Sequence, residues 1–208
     1  AGPWRGLSST LEPYQAALIA WQQRSGWPVL ADPLAAIPNG LSGVIRYWDL
    51  LLPHGLSQMP ANAQVLRLGS MPASRRLEAW LASQQGPQLL ITEADPRPLD
   101  PLEVAQQWSG GLAQWWQQLS PQLSAIPAGS SAPTPQTRSV LESWENADAA
   151  VGKRLSALLP IQGAANEPAL MVALAHLLPA ERPVMLAASS PVRDWQAFAA
   201  GDTGRRRC

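Results

Sequence analysis

"VLRLGSMPASRRLEAWLASQQGPQLLIT", residues 65–92, is the stretch of sequence that decides the fold. It opens and closes on short apolar runs, at 65–68 and 88–92, which border on glycine and proline as buried strands do. Residues 73–83, between these runs, predict a helix. Strands that are separated by a helix of this length pair in parallel through a right-handed crossover. The stretch therefore predicts a unit of an α/β domain.

The same alternation of strands and helices continues on both sides of this unit. A helix with Thr10 as N-cap and a short strand that ends at Asp32-Pro33 come before it, and a weaker strand and a further helix come after it. The pattern predicts a doubly wound, mainly parallel α/β sheet with helices on both faces. The predicted helices are 11–24, 43–52, where Pro53 ends the helix, and 111–119, and the predicted strands are 28–31 and 103–107.

Residues 120–136 are rich in proline, serine and alanine and hold few apolar side chains that could anchor them. They predict a linker between an α/β domain at 1–119 and a C-terminal segment at 137–208. The fold is thus an α/β domain with a C-terminal helix-strand extension. In the extension we predict an amphipathic helix at 137–159, a helix with Asn166 as N-cap that ends before Pro179, a strand at 184–187 and a helix at 192–199.

Composition and charge exclude several classes of protein. The 15 basic residues balance the 15 acidic ones, which argues against a nucleic-acid partner. No apolar run approaches the roughly 18 residues of a membrane-spanning helix, so we expect no membrane insertion. Cys208 is the single cysteine, which excludes an intrachain disulfide and favours a reducing compartment. With no signal-peptide pattern in view, these features predict a cytoplasmic protein.

"AASSPVRDW", residues 187–195, follows the last predicted strand and holds the candidate binding residues. Ligands of open parallel sheets collect beyond the carboxyl ends of the strands, where helix N-termini offer free N–H groups. Ser189 can help to hold an anionic oxygen, and Arg193 can grip a carboxylate or phosphate through two parallel hydrogen bonds. The alternative is structural: Ser190-Pro191 caps the next helix, and Arg193 pairs with Asp194 or with solvent.

Other polar and aromatic residues give weaker indications. His54 and His176 have no cluster of carboxylates or cysteines nearby, so we expect no metal site. Asp32-Pro33 is typical of a turn cap, and Trp115-Trp116 is typical of a core or a domain interface. The glycine fingerprint of dinucleotide-binding folds and the common hydrolase, redox and zinc-protease motifs are absent from the sequence.

Five segments, taken in order, resemble a known family. They are "PVLADPLAAIP" (28–38), "GVIRYWDLLL" (43–52), "VLRLGSMPASRRLEAWL" (65–81), "EPALMVALAHLLP" (167–179) and "SSPVRDWQAFA" (189–199). Together they resemble the middle part of the 2-succinyl-5-enolpyruvyl-6-hydroxy-3-cyclohexene-1-carboxylate synthases, the MenD family. "VLADPL" and "S-x-P-V-R-D" are the most specific of these matches, and the resemblance extends over most of the chain apart from the linker.

The resemblance implies a thiamine-diphosphate enzyme of menaquinone or phylloquinone biosynthesis. Such enzymes decarboxylate 2-oxoglutarate and add the resulting carbanion equivalent to isochorismate, with Mg²⁺ or Mn²⁺ holding the diphosphate. Residues 1–119 would then be the middle domain, and 137–208 the connecting helix and the start of the diphosphate-binding domain. The resemblance also implies that Ser189 and Arg193 bind substrate or cofactor, and that the intact protein is a homo-oligomer, either a dimer or a tetramer.

The chain departs from the family pattern at several points. The catalytic glutamate of the family's N-terminal domain has no counterpart here, and Gly201-Asp202-Thr203 comes too early to be the metal motif. Ala187-Ala188 stand where the family commonly has Gly-Asn. The family strand that leads into Ala1 is cut away, which would open the sheet. We therefore assign no catalytic or metal-binding residue, and we expect this chain alone to be inactive and to bind no cofactor.

Two other functions remain open at this point. The domain could be a non-catalytic scaffold that supports its neighbours or mediates oligomer contacts, or it could be a module that holds an effector beyond its strand ends. It could also bind a nucleotide or FAD, as the middle domains of related thiamine enzymes do, although the missing glycine fingerprint argues against this.

Overall fold

A computed structural model describes residues 1–38, 40–55, 59, 62–124, 133–159, 166–179, 184–187 and 189–199. The strands in these ranges are β1 (Val29–Leu30), β2 (Val44–Ile45), β3 (Val65–Leu68), β4 (Gln88–Ile91) and β5 (Gln106–Trp108). The helices are α1 (Leu11–Ser25), α2 (Trp48–Gly55), α3 (Arg75–Ser83), α4 (Leu112–Ser124), α5 (Pro135–Leu158), α6 (Glu167–Leu177) and α7 (Ser190–Phe198). A 3₁₀ turn at Ser8–Thr10 leads into α1.

The strands pair in parallel, which confirms the predicted α/β class. β1 pairs with β2, and separately β3, β4 and β5 form a sheet in that order. One apolar cluster, with Leu18 and Leu112, lies between this sheet and helices α1 and α4. A second cluster, with Trp48, Leu77 and Trp144, joins β2 to helices α2, α3 and α5. Helices therefore cover both faces, and this explains why the sequences of β3 and β4 are mainly apolar.

The predicted helix at 43–52 is wrong in its first part. Gly43 has φ +72°, a conformation that favours glycine, and its carbonyl accepts the N–H of Val29, so Val44–Ile45 forms β2 instead. Helix α2 begins at Trp48 and continues through Pro53, which was predicted to end it. Proline cannot donate to the carbonyl of Asp49. That carbonyl instead accepts a hydrogen bond from Arg76 Nη1 at 3.3 Å, which makes the proline tolerable inside the helix.

Two further boundaries differ from the prediction. Thr10 does not cap α1 with its side chain, because Thr10 Oγ1 donates to the carbonyl of Leu7 and the 3₁₀ turn supplies the entry to the helix. Strand β5 lies later than the predicted 103–107. Asp100 accepts the backbone N–H groups of Val104 and Ala105, so this part of the chain turns around its carboxylate before it can pair with β4.

The C-terminal extension is helical, and the strand predicted at 184–187 is not formed. Met185 is 98% exposed, and no described strand lies beside this segment to supply the hydrogen bonds that a strand requires. Val184 and Leu186 instead pack against the small cluster around Trp195. The prediction of Asn166 as N-cap is confirmed, since its side chain accepts the N–H of Ala169.

The predicted linker is partly helical at its two ends. Helix α4 continues through Pro121 to Ser124, and α5 begins at Pro135 with Thr134 as its N-cap. Residues 125–132 lie outside the described residues. The division of the chain at 119 and 137 stays a prediction.

A buried ion pair joins the middle of β3 to the loop before β5. Arg67 Nη1 donates to Asp100 Oδ1 at 2.6 Å, and both side chains are less than one-tenth exposed. Burial tends to raise the pKa of Asp100, but hydrogen bonds from the Ala105 N–H, Arg67 and the Leu102 N–H outweigh it, so the pKa is lowered. The carboxylate is thus stabilised in its charged form.

The first residues of the chain lie between β1 and β3. The amino group of Ala1 donates to the carbonyl of Leu30 at 2.6 Å, Asp32 donates its N–H to the carbonyl of Ala1, and Gly2 donates to the carbonyl of Leu68. Burial lowers the pKa of the Ala1 amino group from 8.0 to about 6, with Asp32 opposing the change and Arg67 adding to it.

We expect Asp100→Ala to lower the free energy of unfolding by about 3–5 kcal/mol, because it leaves Arg67 as an unpaired buried charge. Urea denaturation measures the change. The matched control is Arg97→Ala, which removes the exposed pair between Arg97 and Asp95 and should change stability little. Equal effects of the two substitutions would contradict the assignment of Asp100.

Candidate functional site at the start of the last helix

Helix α7 carries Arg193 and directly follows Ser189, the two predicted binding residues. It packs against helix α6. Trp195 is fully buried and contacts Met171, Ala175 and Ala199 in a cluster that ties α7 to α6. The first turn of α7 therefore has a fixed position on the surface of this helix pair. Side chains that project from this turn are presented to solvent on a rigid support.

Ser189 directly precedes α7 in a strained backbone conformation. Its φ of +78° and ψ of −129° lie in a region that side-chain-bearing residues rarely adopt. The Ser189 hydroxyl is exposed and does not cap the helix, so no side chain caps the N-terminus of α7. Residues held in such conformations cluster at functional sites, where the surrounding structure maintains the strain.

The next residues partly match the structural alternative. Ser190 Oγ donates to Asp194 Oδ2 at 2.8 Å, one helical turn on, so Ser190 serves the helix. Arg193 does not form the expected pair with Asp194. It is exposed, and it makes no ion pair or hydrogen bond within the described part of the chain. A free guanidinium thus stands beside an uncapped helix N-terminus, an arrangement that can receive a carboxylate or phosphate.

The described cavities do not include the predicted pair. A cleft of about 380 Å³ borders the other end of α7, at Phe198 and Ala199. Its polar lining includes Arg46, Lys153 and His176. Neither Ser189 nor Arg193 lines this cleft, the 620 Å³ cavity between β1 and β3 or the 20 Å³ cavity beside Gly69 and Thr92. The structure therefore presents the predicted residues on an open surface.

Asp148 holds one wall of the 380 Å³ cleft in place. Its Oδ1 accepts the N–H of Tyr47 at 2.7 Å and so connects α5 to the turn before α2. Burial raises the pKa of Asp148, although the N–H groups of Tyr47 and Arg46 offset part of the rise. Sequence reasoning missed this cleft because its residues come from distant parts of the chain.

A cavity of about 620 Å³, larger than the 380 Å³ cleft, lies between β1 and β3 and was also missed. It is mostly apolar, with Trp80 and Trp144 on its wall and Arg67 as its charged residue. One signal was available in the sequence: Arg67 is a charged residue in the middle of an apolar strand, which buried strands accept only with a partner.

The structure also shows the surroundings of the residues that gave weaker indications in the sequence. Asp32 Oδ1 accepts the N–H of Leu34 at 2.8 Å, so Asp32-Pro33 forms the expected turn. Trp115 and Trp116 pack against the cluster of α1 and α4, as expected of core residues. His54 and His176 do not belong to any metal-binding group of His, Cys, Asp or Glu in the described residues, where no such group is found.

A diphosphate held by a metal ion needs carboxylate or amide oxygens that converge on one point, and the described ranges contain no cluster of this kind. At the carboxyl ends of β3 and β4, next to Gly69 and Thr92, the cavity has about 20 Å³ and is far too small for a nucleotide. The described residues thus do not fit a metal-diphosphate site. The small cavity also argues against the hypothesis that the domain binds a nucleotide or FAD. None of the described helices is both long and apolar enough to cross a membrane.

Parallel strands with helices on both faces define an α/β domain, and the helices of the C-terminal extension follow it in the chain. The family model "Middle domain of thiamine pyrophosphate" matches residues 9–186, and the chain belongs to this family. Similar curated proteins include 2-succinyl-5-enolpyruvyl-6-hydroxy-3-cyclohexene-1-carboxylate synthases, as the resemblance predicted. That of Synechococcus sp. (strain CC9311) is 77% identical over 100% of this chain and 36% of its own length.

Two more of these relatives show the same pattern of coverage. The synthase of Synechococcus sp. (strain CC9605) is 53% identical over 100% of this chain and 34% of its own length. That of Prochlorococcus marinus (strain MIT 9313) is 51% identical over 100% of this chain and 35% of its own length. The chain thus spans about a third of the length of the curated relatives that it matches.

We expect Arg193→Ala to leave the stability of the chain within about 0.5 kcal/mol of its original value, because the side chain is exposed and makes no hydrogen bond or ion pair within the described residues. Asp194→Ala removes the hydrogen bond from Ser190 and should cost about 1 kcal/mol. Chemical denaturation compares the two variants. A larger loss from Arg193→Ala than from Asp194→Ala would assign Arg193 a structural role.

Proposed function

We propose that this chain is part of a thiamine-diphosphate-dependent synthase that decarboxylates 2-oxoglutarate and adds the product to isochorismate, in menaquinone or phylloquinone biosynthesis. The observation that carries the proposal is the 77% identity over the whole chain to a protein named for this synthase. The match to the thiamine pyrophosphate middle domain supports the same conclusion.

In this proposal, residues 1–119 are the middle domain, 120–136 the linker and 137–208 the connecting helix with the start of the diphosphate-binding domain. The catalytic glutamate and the metal motif come from outside the described residues, and the metal is Mg²⁺ or Mn²⁺. In this proposal the chain alone is inactive, because the intact protein supplies the catalytic glutamate and the metal motif from elsewhere. The intact protein acts in the cytoplasm as a homo-oligomer, a dimer or a tetramer.

The contribution of this chain to catalysis is then the binding of negative charge at the start of α7. Both substrates carry carboxylates at neutral pH, and a guanidinium can bind a carboxylate through two parallel hydrogen bonds. The uncapped N-terminus of α7 adds free N–H groups and a partial positive charge at the same place. Ser189 and Arg193 thus position an acidic substrate or the cofactor phosphates, and neither moves a proton or forms a covalent bond.

The second candidate is a binding module for an effector, and the 380 Å³ cleft favours it. This volume suits a small molecule, and the cationic groups of Arg46 and Lys153 would select an acidic one. Calorimetry of the chain with thiamine diphosphate and with isochorismate separates the candidates. The synthase proposal expects no tight binding of either compound to the chain alone, whereas tight binding of isochorismate would favour the module.

We expect Arg193→Ala in the full-length synthase to lower kcat/KM for isochorismate. A lost hydrogen bond to a charged group costs about 1.5–3 kcal/mol, which is roughly 10- to 100-fold. Arg193→Lys should restore part of the loss. The control is Arg75→Ala, which removes another exposed arginine that lines none of the described cavities. Unchanged isochorismate kinetics in Arg193→Ala would contradict the proposed role.

A further inference from the structure

Helix α5 packs on α2 through one stripe of residues. Trp144, Asp148 and Gly152 follow one another about one helical turn apart, so they lie on the same face of α5. Trp144 is buried in a cluster that it shares with Trp48, the first residue of α2. The polar residue Asp148 therefore lies on the face that α5 turns toward the start of α2.

Asp148 anchors the backbone at the start of α2. Its carboxylate accepts the N–H groups of Arg46 and Tyr47, the latter at 2.7 Å from Oδ1. The carbonyl of Tyr47 accepts in turn the N–H groups of Leu50 and Leu51, in the first turn of the helix. A carboxylate at this place also interacts favourably with the partial positive charge of the helix N-terminus. Asp148 thus supplies from another helix what an N-cap side chain usually supplies.

The ring of Tyr47 lies very close to α5. A Cβ atom added at Gly152 would lie 3.1 Å from Cε2 of this ring, closer than carbon atoms in ordinary van der Waals contact. Glycine inside a helix lowers its stability relative to alanine, and the close approach of the ring explains why α5 has one here. Tyr47 is therefore held twice by α5, through its N–H and through its ring.

Helix α2 connects this anchor to the predicted binding residues. It packs against α7, the helix that carries Arg193 and directly follows Ser189. Tyr47 and Asp148 also line the 380 Å³ cleft together with Ala199, at the end of α7. Because closely packed elements transmit displacements to one another, a shift at the start of α2 would move α7 and the side chains of its first turn.

We infer that Asp148 is a positioning residue for the binding of an acidic substrate at Ser189 and Arg193. Its carboxylate fixes the start of α2, and α2 supports α7, so the guanidinium of Arg193 is held at a defined place. Asp148 itself does not contact the substrate. The role of Arg193 in this inference rests on the proposed function, whereas the anchoring of α2 by Asp148 does not.

The first test uses two substitutions in the full chain. Asp148→Ala removes both acceptor oxygens, whereas Asp148→Asn keeps one oxygen that can accept the N–H of Tyr47. We expect hydrogen exchange of the Tyr47 amide, followed by NMR, to be at least about tenfold faster in Asp148→Ala and within about twofold of its original rate in Asp148→Asn. The backbone amide signal of Arg193 should shift in Asp148→Ala alone, because α7 moves.

The matched control is Glu142→Ala, which removes an exposed carboxylate from the same helix. Glu142 makes no hydrogen bond or ion pair within the described residues, so neither amide should change. If Asp148→Ala does not fold, Gly152→Val takes its place. It keeps the carboxylate and must displace the ring of Tyr47, so the Arg193 signal should shift there as well.

The second test measures activity in the full-length synthase. Asp148→Ala should raise KM for isochorismate by about tenfold and change kcat by less than about twofold, because a displaced guanidinium weakens binding without taking part in the reaction. Asp148→Asn should restore KM to near its original value.

Three outcomes would overturn the inference. Faster exchange at Tyr47 without a shift of the Arg193 signal would show that α2 is anchored but does not position α7. An unchanged KM in Asp148→Ala, with a raised KM in Arg193→Ala, would show that the anchor does not affect the site. An equal loss of kcat in Asp148→Ala and Asp148→Asn would assign the carboxylate charge a direct part in the reaction. Failure of the proposed function has a different result: the Arg193 signal shifts in Asp148→Ala, but KM changes in neither Asp148→Ala nor Arg193→Ala.

Discussion

Burial of both faces of β3 and β4 is the constraint on which the rest of the structure depends. Leu90 and Ile91 are at most 1% exposed, and this is possible only because helices lie on each side of the sheet. The helices must then cross over between parallel strands, which sets the order of elements along the chain. The positions of apolar residues in these helices, including Leu18 on one side and Leu77 on the other, are determined in turn by the strands that the helices cover.

This constraint explains which parts of the fold could be predicted from the sequence. β3 was predicted with its observed bounds. A strand that is buried on both faces has a short, mainly apolar run, and the polar residues and glycine on each side of it mark its ends. The errors lie where distant contacts decide. β2 depends on the hydrogen bond from Val29 to Gly43, and β5 is shifted by the carboxylate of Asp100. The apolar run at 184–187 looks like a strand but packs on Trp195 instead.

The candidate site also has some features that could be predicted from the sequence and others that could not. The position of Ser189 before a helix and of Arg193 in its first turn follows from local sequence, since Ser-Pro begins helices. Asp194 accepts a hydrogen bond from Ser190 and does not pair with Arg193. The sequence could not predict this choice, because both residues lie close enough to Asp194 along the chain to interact with it. The cavity walls combine residues such as Tyr47 with His176, and only the folded chain brings these together.

Arg67 lies in β3 beside the 620 Å³ cavity, and its surroundings show how a charge is tolerated in a mainly apolar strand. Asp100 neutralises one side of the guanidinium and at the same time orders the chain that leads to β5, so a single carboxylate serves both the charge and the loop. Arg67 also lines the 620 Å³ cavity between β1 and β3, so the ion pair with Asp100 lies at the boundary between this cavity and the loop that leads to β5.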